Sequence, residues 1–225
     1  MTESALRAVL FDSGGVLMQP IGGRWNPRAD FEQTVLSHTP GITPQRFAAA
    51  IAAGDRFMNE AAGTPDFDSY HRVILGELGI DASDALLAEL IRPVEPTAFL
   101  ETFPDVLPTL QELRRRGVRM AVVSDAWPEL PDLHSSLGIG DFFEAYAISA
   151  VLECRKPDPR MYHHASSALG LEPAQCLFID DDPALVEAAI ALGYAGRAVR
   201  RSDDGEPCDV PSITTLGELL SLFVH

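Results

Sequence analysis

Two hydrophobic periods alternate along this chain. Continuous apolar runs occupy Ala8–Phe11, residues 118–123, Ala145–Ile148 and residues 176–179, with a weaker run at residues 196–199. The first four stop on polar residues, at Asp12, Ser124, Ser149 and Asp180. Short uninterrupted apolar segments are the pattern of strands buried on both faces, as in a parallel sheet. Helical patterns separate them. Residues 105–116 place Val106, Leu107, Leu110 and Leu113 on one face and stop at Gly117. Asp158-Pro159 opens a helix predicted to end at Leu169-Gly170, and Asp182-Pro183 opens another that ends before Gly193. Proline just inside a helix start and glycine just past its end are the expected asymmetry. The alternation predicts an α/β fold, a doubly wound, Rossmann-like parallel sheet.

Between about Pro20 and Pro96 the apolar period is helical throughout. Segments 28–37, 44–53, 67–78 and 82–91 read as helices separated by Gly and Pro, with no strand run among them. The expected organisation is a core from residues 1–19 and 97–225, interrupted by an all-helical insertion at residues 20–96. The prolines at 93, 96 and 104 mark the return to the core.

Composition narrows the function. The chain has 225 residues, 46% of them hydrophobic, enough for a sizeable core. Seventeen basic against 33 acidic residues give a net charge of −16. That balance argues against nucleic acid, whose phosphates draw Lys/Arg patches. The three cysteines, Cys154, Cys176 and Cys208, form no CxxC pair, so neither a disulfide framework nor a zinc site is indicated. No apolar run approaches the roughly 18 residues of a membrane span, and the N-terminal run lacks a signal-peptide layout. A cytoplasmic protein with no membrane partner is expected.

Ligands of open α/β sheets bind at the carboxyl ends of the strands. Here those ends carry Asp12, Ser124, Ser149 and Asp180-Asp181, and the loop after the third run adds Arg155-Lys156-Pro157-Asp158. Paired carboxylates suit Mg²⁺, a hard cation that takes oxygen ligands. A lysine and a hydroxyl suit a phosphate. Asp12, placed among them, is a candidate nucleophile of the aspartyl-phosphate kind. Asp182 reads as a helix N-cap, and His163 and His164 as structural or exposed.

Four segments, taken in order, resemble the motifs of the haloacid dehalogenase superfamily. Phe11-Asp12-Ser13-Gly14-Gly15-Val16-Leu17 is similar to its first motif and Val122-Val123-Ser124-Asp125 to its second. Arg155-Lys156-Pro157-Asp158-Pro159-Arg160-Met161-Tyr162 resembles the lysine motif, and Phe178-Ile179-Asp180-Asp181-Asp182-Pro183 the acidic fourth motif. The helical insertion resembles the small cap of subfamily I. The resemblance implies that Asp12 attacks phosphorus, and that Asp12, the Gly14 carbonyl, Asp180 and Asp181 bind Mg²⁺. It also implies that Ser124 and Lys156 hold the phosphoryl oxygens, with backbone N–H groups around Ser13, Gly14, Gly15 and Asp125. The Asp125 carboxylate is expected to pair elsewhere. The expected partner is a small phosphorylated metabolite.

Phosphatases of this family usually carry a second aspartate two residues after the nucleophile, as acid and base. This chain has Gly14 there, which leaves the metal contact possible and removes the proton donor. Such a group is worth on the order of 10²–10⁴ in rate. Two competing readings follow phosphatase: a non-catalytic or regulatory anion binder, and a dehalogenase. Dehalogenases of the family typically have an aromatic residue at the Gly14 position. The cap is expected to set specificity, with Trp25, Arg28, Arg46 and Arg56 from the insertion and Trp127 from the core.

Overall fold

A computed structural model describes residues 5–61, 63–201 and 209–223. In chain order, β1 (Ala8–Phe11) and β2 (Met18–Pro20) precede helices α1 (Phe31–His38), α2 (Pro44–Glu60), α3 (Phe67–Leu78) and α4 (Asp84–Leu90). Strand β3 (Leu100–Thr102) then leads to α5 (Val106–Arg115), β4 (Arg119–Ser124), α6 (Leu130–Ser136) and β5 (Ala145–Ile148). The chain continues through α7 (Ser149–Leu152), α8 (Pro159–Ala168), β6 (Cys176–Asp180), α9 (Pro183–Ala191), β7 (Ala195–Val199) and β8 (Ser212–Ile213). Two compact units result, one from the segments up to Gln19 and from Leu100 onward, the other Pro20–Phe99.

The first unit is built on a six-stranded sheet of order β5-β4-β1-β6-β7-β8, with every neighbouring pair parallel. Helices flank it, giving the doubly wound α/β fold. The apolar runs become strands because both of their faces are covered. Leu10, Val123 and Phe178 pack with Met161, Tyr162 and Ala165 of α8 and with Val186 and Ala189 of α9. The alternate residues Val9, Phe11, Met120, Val122, Leu177 and Ile179 are buried as well. Strand β1 lies between β4 and β6, so the strand order reverses around it. That reversal places the end of β1 at the crevice where such sheets bind ligands.

The helical unit has its own core, including Phe31, Phe47, Tyr70, Ile74, Leu75, Leu86 and Leu87. The second helix, expected to stop at residue 53, runs on through Gly54 to Glu60. Gly54 is a packing position rather than a stop: a Cβ there would lie 2.7 Å from Ile74 Cγ1 and 2.8 Å from Tyr70 Cε2 of α3. The cost of a helical glycine, about 1 kcal/mol against alanine, is offset by that close approach.

Three features left no periodic signal. The three-residue strands β2 and β3 pair as a separate ribbon. Helix α6 buries only Leu130 and His134, and β8 has two residues. Among the described residues no helix is long and apolar enough to cross a membrane. Cys154 and Cys176 are buried free thiols, and Cys208 lies outside the described residues.

Candidate active site

The parallel register assembles the site. Phe11 pairs with Ile179 of β6 and with Val122 of β4. Asp12, one step further, donates its N–H to the Ile179 carbonyl at 2.8 Å and comes level with Asp180. Ser124 closes β4 and is buried. Lys156 reaches in from the loop between α7 and α8. Its Nζ donates to Asp12 Oδ1 at 2.6 Å and to Asp180 Oδ2 at 2.7 Å. All three side chains are buried. Asp181 completes the group, and oxygens of Asp12, Asp180 and Asp181 lie within 4.8 Å of one another.

One ammonium therefore faces three carboxylates, and the charges do not balance. Burial pushes the Asp12 carboxyl above its ordinary range, Lys156 pulls it back in part, and Asp181 adds to the rise. Asp180 and Asp181 are both pushed up to about 6 by loss of hydration and by the neighbouring carboxylate charge. Burial alone would favour neutral Lys156, yet Asp12 and Asp180 overcome it and hold the lysine charged. Raised carboxylates that outnumber the one lysine are the electrostatic signature of a place for a further cation. Three carboxylates supply the hard oxygen ligands that Mg²⁺ takes. The backbone leaves room: a Cβ on Gly15 would fall 2.2 Å from Asp181 Oδ2, and Gly15 has φ +74°. The residues present fit a divalent cation.

The turn after Asp12 is fixed from inside. Ser13 O accepts from Leu17 N–H and Met18 N–H at 2.8 and 3.1 Å. Gly15 N–H is spent on Met18 O at 3.0 Å, although the sequence suggested this donor for a phosphoryl group. Gly14 forms an isolated bridge with Met18 and is absent from the positive-φ glycines. The Ser13 hydroxyl turns into the core and meets His134 Nε2 at 2.7 Å, while His134 Nδ1 lies 3.3 Å from the Tyr146 hydroxyl. His134 on α6 gave no sequence signal, because nothing local announces a contact across 121 positions. Burial pushes its pKa down to about 4, so the ring is neutral.

The other expected residues have defined partners. Asp125 Oδ1 accepts the Lys156 N–H at 3.1 Å, and Oδ2 lies 3.7 Å from Arg155 Nε. The carboxylate thus orients the lysine loop. Ser149 Oγ accepts the Ala126 N–H at 3.0 Å and pins the loop after β4. Asp182 caps α9 by accepting the Ala184 N–H at 2.9 Å. His163 is exposed and bonds the Tyr194 hydroxyl at 3.0 Å. In the helical unit, Arg28 is engaged by Asp30 and the Arg92 carbonyl, and Arg46 by the Leu78 carbonyl. Trp25 and Arg56 are exposed.

A family model described as haloacid dehalogenase-like hydrolase matches residues 6–193, a span that holds the whole cluster. The chain belongs to the haloacid dehalogenase-like hydrolases. Within that family it is 33% identical over 222 residues to "Phosphatase MT3486" of Mycobacterium tuberculosis, covering 96% of this chain and 97% of that protein. Its fold is also that of the L-2-haloacid dehalogenase from Xanthobacter autotrophicus, with a TM-score of 0.69 at 21% identity over 96% and 98% of the two chains. A Thermococcus onnurineus phosphatase of the same family superposes with a TM-score of 0.63 at 22% identity, over 96% and 97%. Membership of this hydrolase family agrees with a buried carboxylate, a lysine and an acidic pair at one sheet edge.

Proposed function

We propose that this family member is a Mg²⁺-dependent phosphatase that cleaves a small phosphate monoester in the cytoplasm through a phospho-Asp12 intermediate. The observation that carries the proposal is the cluster of Asp12, Asp180 and Asp181 around Lys156. A cation site beside a carboxylate nucleophile serves phosphoryl transfer, where both reactants are anionic. Displacement of halide from carbon has no comparable use for it. The phosphatase name of the relative matched along almost its full length agrees.

Asp12, the Gly14 carbonyl, Asp180 and Asp181 would hold Mg²⁺. When bound, that ion offsets charge between the nucleophile and the phosphoryl group. An Asp12 oxygen attacks phosphorus, and the bond from phosphorus to the ester oxygen breaks with its electron pair leaving on that oxygen. Water then attacks the phosphorus of the aspartyl phosphate, releasing inorganic phosphate and restoring Asp12. Lys156 favours the ionised form of Asp12 and neutralises a phosphoryl oxygen, and Ser124 donates its hydroxyl to another. Gly14 offers no proton to the departing oxygen. The substrates that fit best leave without one, as acyl phosphates and sugar 1-phosphates do. An unaided alkoxide would add about 3–5 kcal/mol to the barrier.

The test is hydrolysis of an aryl phosphate with and without Mg²⁺, by the wild type and by Asp12→Asn. Turnover is expected to need both the metal and Asp12. Turnover that survives Asp12→Asn refutes the mechanism. A wild type that binds phosphate but turns over no phosphate ester establishes the competing reading, a non-catalytic anion binder.

A further inference from the structure

We infer that Arg201 and Asp105 form a positioning pair for the Mg²⁺ cradle, acting through the backbone of the turn that follows Asp12. The inference rests on reading that cradle as a Mg²⁺ site. Arg201 lies just beyond β7. Its Nε donates to the Gly15 carbonyl at 3.1 Å and its Nη2 to the Val16 carbonyl at 2.5 Å. Its Nη1 donates to Asp105 Oδ1 and Oδ2 at 3.0 and 3.1 Å. The guanidinium carbon sits 3.6 Å from the centroid of the Phe103 ring. Both charged side chains are largely shielded, at 17% and 21% exposure.

Asp105 shows that the arrangement is built for this contact. It stands at the N-cap of α5, where an aspartate ordinarily accepts a first-turn N–H of its own helix. No such bond forms. Its oxygens turn to Arg201, and Oδ2 also accepts the Leu216 N–H at 2.7 Å. The helix forgoes its side-chain cap. The contacts taken instead span 96 and 111 positions of sequence.

The carbonyls that Arg201 binds belong to the two peptide planes on either side of Val16. The next plane toward the N-terminus carries the Gly14 carbonyl, the proposed metal ligand. Only the two soft dihedrals of Gly15 separate it from the fixed planes, and glycine supplies little restraint of its own. Gly15 is also the residue whose Cα backs directly onto the Asp181 carboxylate. A guanidinium anchored by Asp105 and stacked on Phe103 therefore supplies the rigidity this joint lacks. Its hydrogen bonds go to the Gly15 and Val16 carbonyls and to Asp105, and its charge is also felt by Asp181. Supporting residues of this kind typically change metal affinity about 10–100-fold when removed.

The experiment is calorimetric titration of Mg²⁺ into substrate-free protein, well below the unfolding temperature. The wild type is compared with Arg201→Met, Arg201→Lys and Asp105→Asn, each checked for fold by circular dichroism. Folded Arg201→Met is expected to bind Mg²⁺ about 10–100-fold more weakly. Arg201→Lys is expected to recover part of the loss, because an ammonium reaches a carbonyl but lacks the planar fork. Asp105→Asn, which keeps an acceptor and loses the charge, covers the case in which Arg201→Met does not fold. Wild-type affinity in folded Arg201→Met or folded Asp105→Asn overturns the inference, and loss of fold in all three makes the pair a general staple and overturns it too. A wild type that binds no Mg²⁺ overturns the underlying reading together with the inference. Wild-type binding with unchanged variants overturns the inference alone.

Discussion

Gly15→Ala separates backbone strain from damage to the acid cluster. Gly15 has φ +74°, and an L residue held in this region costs roughly 1–2 kcal/mol. A second cost is steric. The new Cβ would sit 2.2 Å from Asp181 Oδ2 and 2.6 Å from its Cγ, where ordinary contact begins at 3.4 Å. The methyl and the carboxylate must part by about 1.2 Å, either by moving Asp181 or by moving the turn that follows the nucleophile. Misplacement of a reacting group by about 1 Å costs on the order of 10²-fold in rate. Gly117→Ala is the matched control, with φ +73° and nothing within 4 Å of its added Cβ. Urea unfolding should show Gly117→Ala destabilised by roughly 1–2 kcal/mol and Gly15→Ala by more, because the clash adds to the strain. Aryl phosphate turnover and Mg²⁺ titration should show the loss in Gly15→Ala alone. Wild-type kcat and Mg²⁺ affinity in folded Gly15→Ala would refute the placement of Asp181 against the turn. Equal loss of activity in Gly117→Ala would show that the effect is global strain.

Lys156→Met leaves Asp12 and Asp180 buried without their cation, and about 3–5 kcal/mol of stability should be lost at neutral pH. Because burial already favours the protonated carboxyls, urea unfolding at mildly acidic pH should show that deficit shrinking. Gly14→Asp should restore a proton donor, since Gly14 is absent from the positive-φ glycines. Turnover of alkyl phosphates is expected to rise by up to on the order of 10²-fold, with aryl phosphates little changed, and an unchanged alkyl-to-aryl ratio would count against a missing acid. His134 is buried and neutral, with its pKa lowered from 6.5 to about 4. The unfolded chain takes up that proton first, so stability is intact above 6.5 and falls as pH drops toward 4. The contribution is about 3 kcal/mol when complete. His134→Asn should flatten this acid limb in unfolding curves taken across the same range.

Strand ends and helix starts were readable because their causes are local. Apolar runs that stop at Asp12, Ser124 and Asp180 become strands that end there, give or take a residue. Asp158 and Asp182 before proline open helices and cap them. Gly54 misled at the same scale. A lone glycine reads as a stop, whereas its close contact with Ile74 and Tyr70 comes from a helix that begins 13 positions later.

Chemistry followed the same division. Which residue types stand at strand ends is written in the chain, and so are Lys156 and the acidic pair. Their meeting depends on the pairing, because parallel strands bring their ends to one edge and β1 between β4 and β6 makes Asp12, Ser124 and Asp180 neighbours there. His134 behind Ser13, and Arg201 with Asp105 behind Gly15, had no sequence signature. Each acts through a few hydrogen bonds across about a hundred positions or more, and no local periodicity encodes such a contact. By itself the sequence determined which groups sit at the ends of which elements, because propensity, capping and alternation act over a few residues. Only the tertiary structure decided which groups share a space, which carboxylates lose their water and which backbone donors are already spent. Those depend on burial and charge proximity, which arise only once distant segments pack.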